Sequence, residues 1–345
     1  MSETDQEPTS EPEAPKLRLL DRVRERVRTK GYAQATEDAY CYWAKRYILF
    51  HGKRHPSEMG SPQVGEFLSH LAVDEHVSSS TQNQALSALL FLYKEVLGAN
   101  LGKTIDTVRA KQYHHIPTVL SVREVQALFK HLSGTPKLMA ELTYGAGLRL
   151  TEVHQLRIGD IDFHSGRIQV MDGKGRKDRT TLLPVGLVPR LREHLIAVEA
   201  VHGDDLNIGF GAAVLPRAYF LKNKSASKQF RWQFVFPAKG IFQDGKTGNS
   251  GRWHVHPKVL QTAIREAADK ARIHKRVTVH ALRHSFATHL LQDGCDIRTI
   301  QVLLGHANVN TTMIYAHIAD NQRLAIRSPL DKLDSLGTAS EQRDA

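Results

Sequence analysis

The segment HALRHSFATHL, residues 280 to 290, places His280, Arg283 and His284 within five residues of one another. Leu282, Phe286, Leu290 and Leu291 recur on one face, which predicts a partly buried helix. The first turn of a helix carries free N–H groups and the positive end of the dipole, so it favours an anion. Arg283 adds a planar donor fork suited to phosphate oxygens. His280 and His284 stand i, i+4 on one face, as metal ligands can. However, the segment holds no Asp, Glu or Cys to complete a site, and an arginine between the two opposes a dication. The expectation is an anion site without a metal, with His284 and His289 as packing or hydrogen-bonding histidines.

Three further stretches carry chemistry. In YGAGLRLTEV, glycines precede Arg149 at a helix start, with Glu152 one turn on. On its own this is also how a surface salt bridge at a helix corner looks. In DGKGRKD, Lys174, Arg176 and Lys177 sit at the tip of a hairpin. The spacing is not that of an ATPase phosphate loop, and a solvated turn is the plain alternative. In LLGHANVNTTMIYAH, His306 follows a glycine helix stop and Tyr315 comes nine positions later. Ile314 and Ile318 form the apolar i, i+4 pair of that helix. Tyr315 therefore falls off the stripe and is expected to face a cleft.

The elements that must position these residues fall into two groups. Residues 1–15 are acidic and proline-rich, the reverse of a signal peptide, and are expected to be a disordered tail. Residues 16–101 read as a compact all-helical module, with a break at Gly31 and a stop at Gly98. Residues 102–116 are basic and weakly patterned, as a linker would be. From Pro117 to about 330 the pattern changes to helices around a β-hairpin, opening on a capping box at Ser121 and Glu124. Residues 203–252 read as irregular, and 331–345 as a flexible tail. The fold expected is mainly α with a small antiparallel sheet. The chain has 345 residues, 41% of them hydrophobic, ample for two domains. Two cysteines exclude a disulfide scaffold or thiolate cage and fit a reducing cytosol; no apolar run is long enough to span a bilayer. Net charge is +11, although the first fifteen residues contribute five acids and no base. Such a balance suits a polyanion such as nucleic acid, or simply a basic cytosolic enzyme.

Taken in order, Arg, Lys, His-x-x-Arg, His and Tyr, carried by GAGLRLTE, GKGRKDR, HALRH, LGH and IY, resemble the tyrosine recombinases of the phage integrase family. FHGKRHP and STQNQALSALLFLYKEVL in the first module are similar to integron integrases, and so is an extra segment at about 202–236, between the hairpin and the His-x-x-Arg helix. Resemblance runs from about residue 16 to 320. Where that group has W-x-W before QFVFP, this chain has Phe230-Arg231-Trp232.

The resemblance implies that Tyr315 attacks a DNA phosphodiester to give a 3′-phosphotyrosine. Arg149, Arg283 and His306 would stabilise the transition state, and Lys174 would protonate the leaving 5′-oxygen. His280 is the candidate to take the tyrosine's proton, with Glu152 in support. Because bond energy is held in the phosphotyrosine, neither ATP nor a metal is required. Lys111, Arg176, Lys177 and Arg179 are expected to contact DNA. Phe230, Trp232, Pro237, Trp253, His254 and His256 offer stacking for extruded bases, against the alternative of a small folded excursion. The implied partners are a double-stranded attachment site and a folded single-stranded cassette site, clamped by a C-shaped pair of domains. The enzyme would be monomeric when free, tetrameric at a Holliday junction, cytoplasmic and nucleoid-associated. A phage or Xer-type recombinase, a type IB topoisomerase and a catalytically inactive DNA-binding relative remain the alternatives.

Overall fold

The computed structural model describes residues 18–102, 117–171, 178–215, 223–243, 245, 248, 250–306, 308–309 and 311–315. Both expected tails, nearly all of the expected linker with Lys111, and the hairpin tip with Lys174, Arg176 and Lys177 lie outside these residues. The chain divides into two compact units between His115 and Ile116.

The first unit is helical: α1 (Leu19–Thr29), α2 (Gln34–Phe50), α3 (Ser61–Val73) and α4 (Ser79–Phe91), the last continued by a π-helical segment to Leu97. Gly31 and Gly98 both take positive φ where helices end. Ser78 caps α4 by accepting from the Thr81 N–H. The core packs Trp43, Tyr47, Phe67, Leu68, Leu89 and Tyr93. The two buried tyrosine hydroxyls, of Tyr47 and Tyr93, satisfy each other at 2.8 Å.

The second unit opens with α5 (Val122–Lys130), whose capping box joins Ser121 and Glu124. Then come α6 (Gly134–Ala146) and α7 (Leu150–Gln155). A three-stranded antiparallel sheet follows: β1 (Ile161–Asp162), β2 (Arg167–Val170) and β3 (Arg179–Leu182), with Val170 opposite Arg179. The long α8 (Val188–Asn207) leads to a second hairpin, β4 (Pro237–Gln243) and β5 (Ser250–His254). Helices α9 (Pro257–Lys270), α10 (Val279–Gln292) and α11 (Ile297–Leu304) complete the unit, with a last helical turn at 311–315. The architecture is mostly helical with small antiparallel sheets, as the sequence predicts.

One correction concerns 203–252. This stretch is not irregular throughout: α8 reaches Asn207, and the β4–β5 hairpin occupies its end. A main core of Leu128, Met139, Leu142, Val153, Ile168, Leu191, Phe236, Leu260 and Leu282 joins helices and sheet. A smaller cluster of Phe286, Ala287, Ile300, Leu304 and Tyr315 lies at one end of α10. Among the described residues no helix is long and apolar enough to cross a membrane.

Candidate active site

Helix α10 begins where Thr278 accepts from the Ala281 N–H, and it packs along α6. Its apolar face goes into the core, so Arg283 is carried inward and is 3% exposed. A buried guanidinium must spend its donors. Arg283 donates to the carbonyls of Gly147 and Leu304, the latter at 2.7 Å, and from Nη2 to His306 Nε2 at 3.2 Å. These carbonyls lie at the C-terminal ends of α6 and α11, where helix dipoles favour a cation.

Both helix ends are made by glycines with no room for a side chain. Gly147 has φ 62° and Gly305 φ 64°. A Cβ at Gly147 would lie 2.5 Å from the Phe286 ring, and one at Gly305 would lie 2.6 Å from Arg179 Cδ. Close approach here is what delivers the carbonyls to the arginines.

Arg149 precedes α7 and its backbone N–H donates to Glu152 Oε2 at 2.6 Å. Its Nη1 donates to Glu152 Oε1 at 2.7 Å, and its Nη2 to Gly305 O at 3.4 Å. Arg179 of β3 binds the same carboxylate with both Nη atoms, at 2.6 and 2.7 Å, and gives Nε to Leu303 O at 2.9 Å. Arg283 Nη1 stands 3.8 Å from Glu152 Oε2. Three guanidiniums thus surround one carboxylate. Burial raises the Glu152 pKa, but the hydrogen bonds and charges of Arg179 and Arg149 outweigh it and hold the group down at about 2. For Arg283, burial and then the charge of Arg149 push its pKa down to about 9. The excess positive charge makes the site receptive to an anion.

Arg179 corrects one expectation. Expected to contact DNA, its side chain is only 6% exposed and its donors are committed to Glu152 and Leu303. It positions the anion site from within.

Tyr315 also departs from expectation. Rather than facing a cleft, it is 3% exposed and packs with Phe286, Ile300 and Leu304, while Ile314 is 37% exposed. Its Oη lies 2.8 Å from His284 Nδ1. The tyrosine ring stacks near His306, at 6.3 Å and 20°, and near His284, at 5.6 Å. Since Arg283 donates to His306 Nε2, His306 Nδ1 carries the proton and donates to Thr312 Oγ1 at 2.9 Å. Burial pushes His306 and His284 down to about 4, with Arg283 adding to both, so both rings are neutral at pH 7. His280 lies exposed on α10, its ring 6.4 Å from that of His284. Burial of its ring atoms and the charges of Arg283 and Arg149 lower its pKa also. His289 accompanies Tyr144, at 2.8 Å. No group of three or more His, Cys, Asp or Glu side chains suited to a metal occurs among the described residues. Arg149, Arg283, His306 and Tyr315 are therefore gathered together. His284, set aside in the sequence as a packing residue, stands against the tyrosine hydroxyl.

Residues 118–322 match the phage integrase family, and residues 19–103 match the phage integrase N-terminal SAM-like domain. The chain belongs to the phage integrase family. Members of this tyrosine recombinase family cleave and rejoin DNA, and this chain is an enzyme of that kind. Proteins called integrase/recombinase from Escherichia coli and Pseudomonas aeruginosa are each 43% identical over 93% of this chain and 95% of their own length. In fold, the chain is similar to XerH site-specific recombinase bound to a palindromic difH substrate. That likeness has a TM-score of 0.58 and 22% identity, over 88% of this chain and 82% of the other. A lambda integrase dimer bound to a COC′ core site gives a TM-score of 0.57 at 15% identity, over 86% and 93%.

The aromatic set expected to stack on bases separates into two groups. Phe230 and Trp232 belong to a short 3-10 turn that is partly buried. Phe230 stacks on His202 at 5.9 Å, and Arg157 lies over Trp232 at 6.0 Å and over Phe234 at 4.6 Å. Arg157 also donates to the carbonyls of Trp232 and Val214. Trp253 on β5 is instead 38% exposed, beside Phe242 at 5.7 Å and His254 at 5.2 Å. Pro237 starts β4, and His256 caps α9 by accepting from the Lys258 N–H.

Proposed function

We propose that this chain is a recombinase of the integron integrase type, which joins an attachment site to a gene-cassette site through a 3′-phosphotyrosine. The observation that carries the chemistry is the cluster of Tyr315, Arg283, Arg149 and His306 around one anion-receptive point. Tyr315 Oη attacks the scissile phosphorus, the bond to the 5′-oxygen breaks, and Lys174 supplies the proton that oxygen needs. Arg149 and Arg283 clamp the non-bridging oxygens, with His306 and His280 facing the same charge. Glu152 and Arg179 hold the clamp in place. The phosphotyrosine conserves the bond energy, so a strand's 5′-hydroxyl reverses the step without ATP or metal.

The two domains would close on DNA as a C-shaped clamp, with Lys111, Arg176 and Lys177 on phosphates. Four protomers would pair two sites through a Holliday junction in the bacterial nucleoid. The integron reading rests on FHGKRHP, on STQNQALSALLFLYKEVL, and on the extra segment at about 202–236, in which Arg157 holds the carbonyls of Val214 and Trp232. Trp253, exposed on β5, is the stacking residue this arrangement favours for an extruded base.

The test compares two substrates, a double-stranded attachment site and a folded single-stranded cassette hairpin. Trp253→Ala should weaken hairpin binding about tenfold or more, as base stacking contributes roughly 1–3 kcal/mol, and leave duplex binding unchanged. Equal loss on both, or no binding of the folded strand by the parent protein, would contradict the integron reading.

A further inference from the structure

The proton of the nucleophile has to go somewhere, and the structure bears on where. We propose that His284, through Nδ1, accepts the Tyr315 proton during cleavage and returns it on religation; this rests on the recombinase reading above. His284 Nδ1 lies 2.8 Å from Tyr315 Oη, within direct transfer distance. The other histidine against the tyrosine, His306, has Nδ1 turned to Thr312 and Nε2 to Arg283. His280 is one helical turn before His284 and exposed, its ring 6.4 Å from that of His284.

Placement on α10 explains the division of labour. Arg283 and His284 are adjacent, so one reaches the carbonyls of Gly147 and Leu304 while the other reaches the last helical turn, 311–315. The step balances. As Oη bonds to phosphorus, its hydrogen passes to Nδ1, giving an imidazolium, and the departing 5′-oxygen takes a separate proton from Lys174. In the reverse step the 5′-hydroxyl bonds to phosphorus and gives its proton to Lys174, while the imidazolium returns its own to Oη as the phosphorus–oxygen bond to tyrosine breaks. The groups facing His284 are His280 and Arg283 on its own helix, with Tyr315 and His306 opposite; burial, then His280 and Arg283, keep its ring neutral at pH 7.

The experiment uses the full chain and a nicked suicide duplex, taken from a randomised-core library by covalent capture on the parent protein. Single-turnover adduct formation is measured for His284→Asn, whose amide keeps a hydrogen-bonding group near the position of Nδ1 but cannot take a proton. The same measurement is made with 2,3,5-trifluorotyrosine at position 315, whose phenol ionises near neutral pH and needs no acceptor. His284→Asn should slow the parent about 10²-fold or more and slow the fluorinated protein only a few-fold, with duplex affinity unchanged in both. A rate unaffected by His284→Asn, or a loss as large with trifluorotyrosine as without it, would overturn the assignment. So would fluorination relieving a His280→Asn defect but not the His284→Asn defect. Absence of any adduct from the parent protein would instead remove the recombinase reading on which the inference stands.

Discussion

Glu152 shows how much of this site is internal support. One carboxylate, 7% exposed at its side chain, answers the guanidiniums of Arg149, Arg179 and Arg283. Removing its charge leaves them facing one another without a counter-ion. Glu152→Gln should cost about 3 kcal/mol, the size expected for breaking a buried ion pair, measured by denaturant unfolding at pH 7. Its pKa is depressed in the folded protein, so its contribution is complete above the unfolded value near 4.5 and is lost as pH falls toward 2. The gap between parent and variant should therefore close over that interval; a gap that stayed constant there would contradict the assignment. Arg149, Arg283 and His306 stand out in the sequence because each sits beside a glycine stop or a helix start, whereas Tyr315 stands out only through its place in the order of motifs. The roles of Arg179 and His284 were not legible there. Arg179 follows a basic hairpin tip and looked like its continuation, while only the meeting of β3 with α7 and α11 turns it inward. His284 could not be linked to Tyr315 across a gap of 31 residues from periodicity alone.

At the scale of elements, the site is made by helix ends. The C-termini of α6 and α11 bring the carbonyls of Gly147, Leu303, Leu304 and Gly305 to the three arginines. Gly147→Ala places a Cβ 2.5 Å from the Phe286 ring at φ 62°. Gly166→Ala, in the β1–β2 turn, meets nothing within 4 Å at φ 65°. The first should therefore lose about 2–4 kcal/mol and the second about 1–2 kcal/mol, the cost of a left-handed non-glycine residue alone. Thermal unfolding of both variants checks this; equal losses would mean that strain, rather than the Phe286 contact, governs both positions. The first hairpin was visible in the sequence because Ile168, Val170 and Thr181 are buried in alternation with exposed neighbours. The β4–β5 hairpin was not, since β4 is exposed from Lys239 to Gln243 and so carries no two-residue hydrophobic period. Tyr315 was misplaced for a related reason. The Ile314 and Ile318 stripe assumed an apolar face, but Ile314 points outward and tertiary packing on Phe286 and Leu304 takes the tyrosine in.

Across the whole molecule, two separately cored units carry a net charge of +11, and the second unit gathers three guanidiniums around one carboxylate beside the buried Tyr315. Neutralising phosphates suits such a surface, and residues 118–322 match the phage integrase family, whose members cleave and rejoin DNA. Burial raises the Tyr315 pKa, while Arg283 and Arg149 pull it down. Burial prevails, so the hydroxyl keeps its proton at pH 7. In the proposed mechanism this hydroxyl becomes the covalent link. Mass spectrometry of the protein trapped on a nicked suicide duplex, digested to peptides, tests it directly. The expected product is a nucleotide joined through its 3′-phosphate to the peptide containing Tyr315, with no adduct from Tyr315→Phe. An adduct on another residue, or one that persists in the phenylalanine variant, would contradict it.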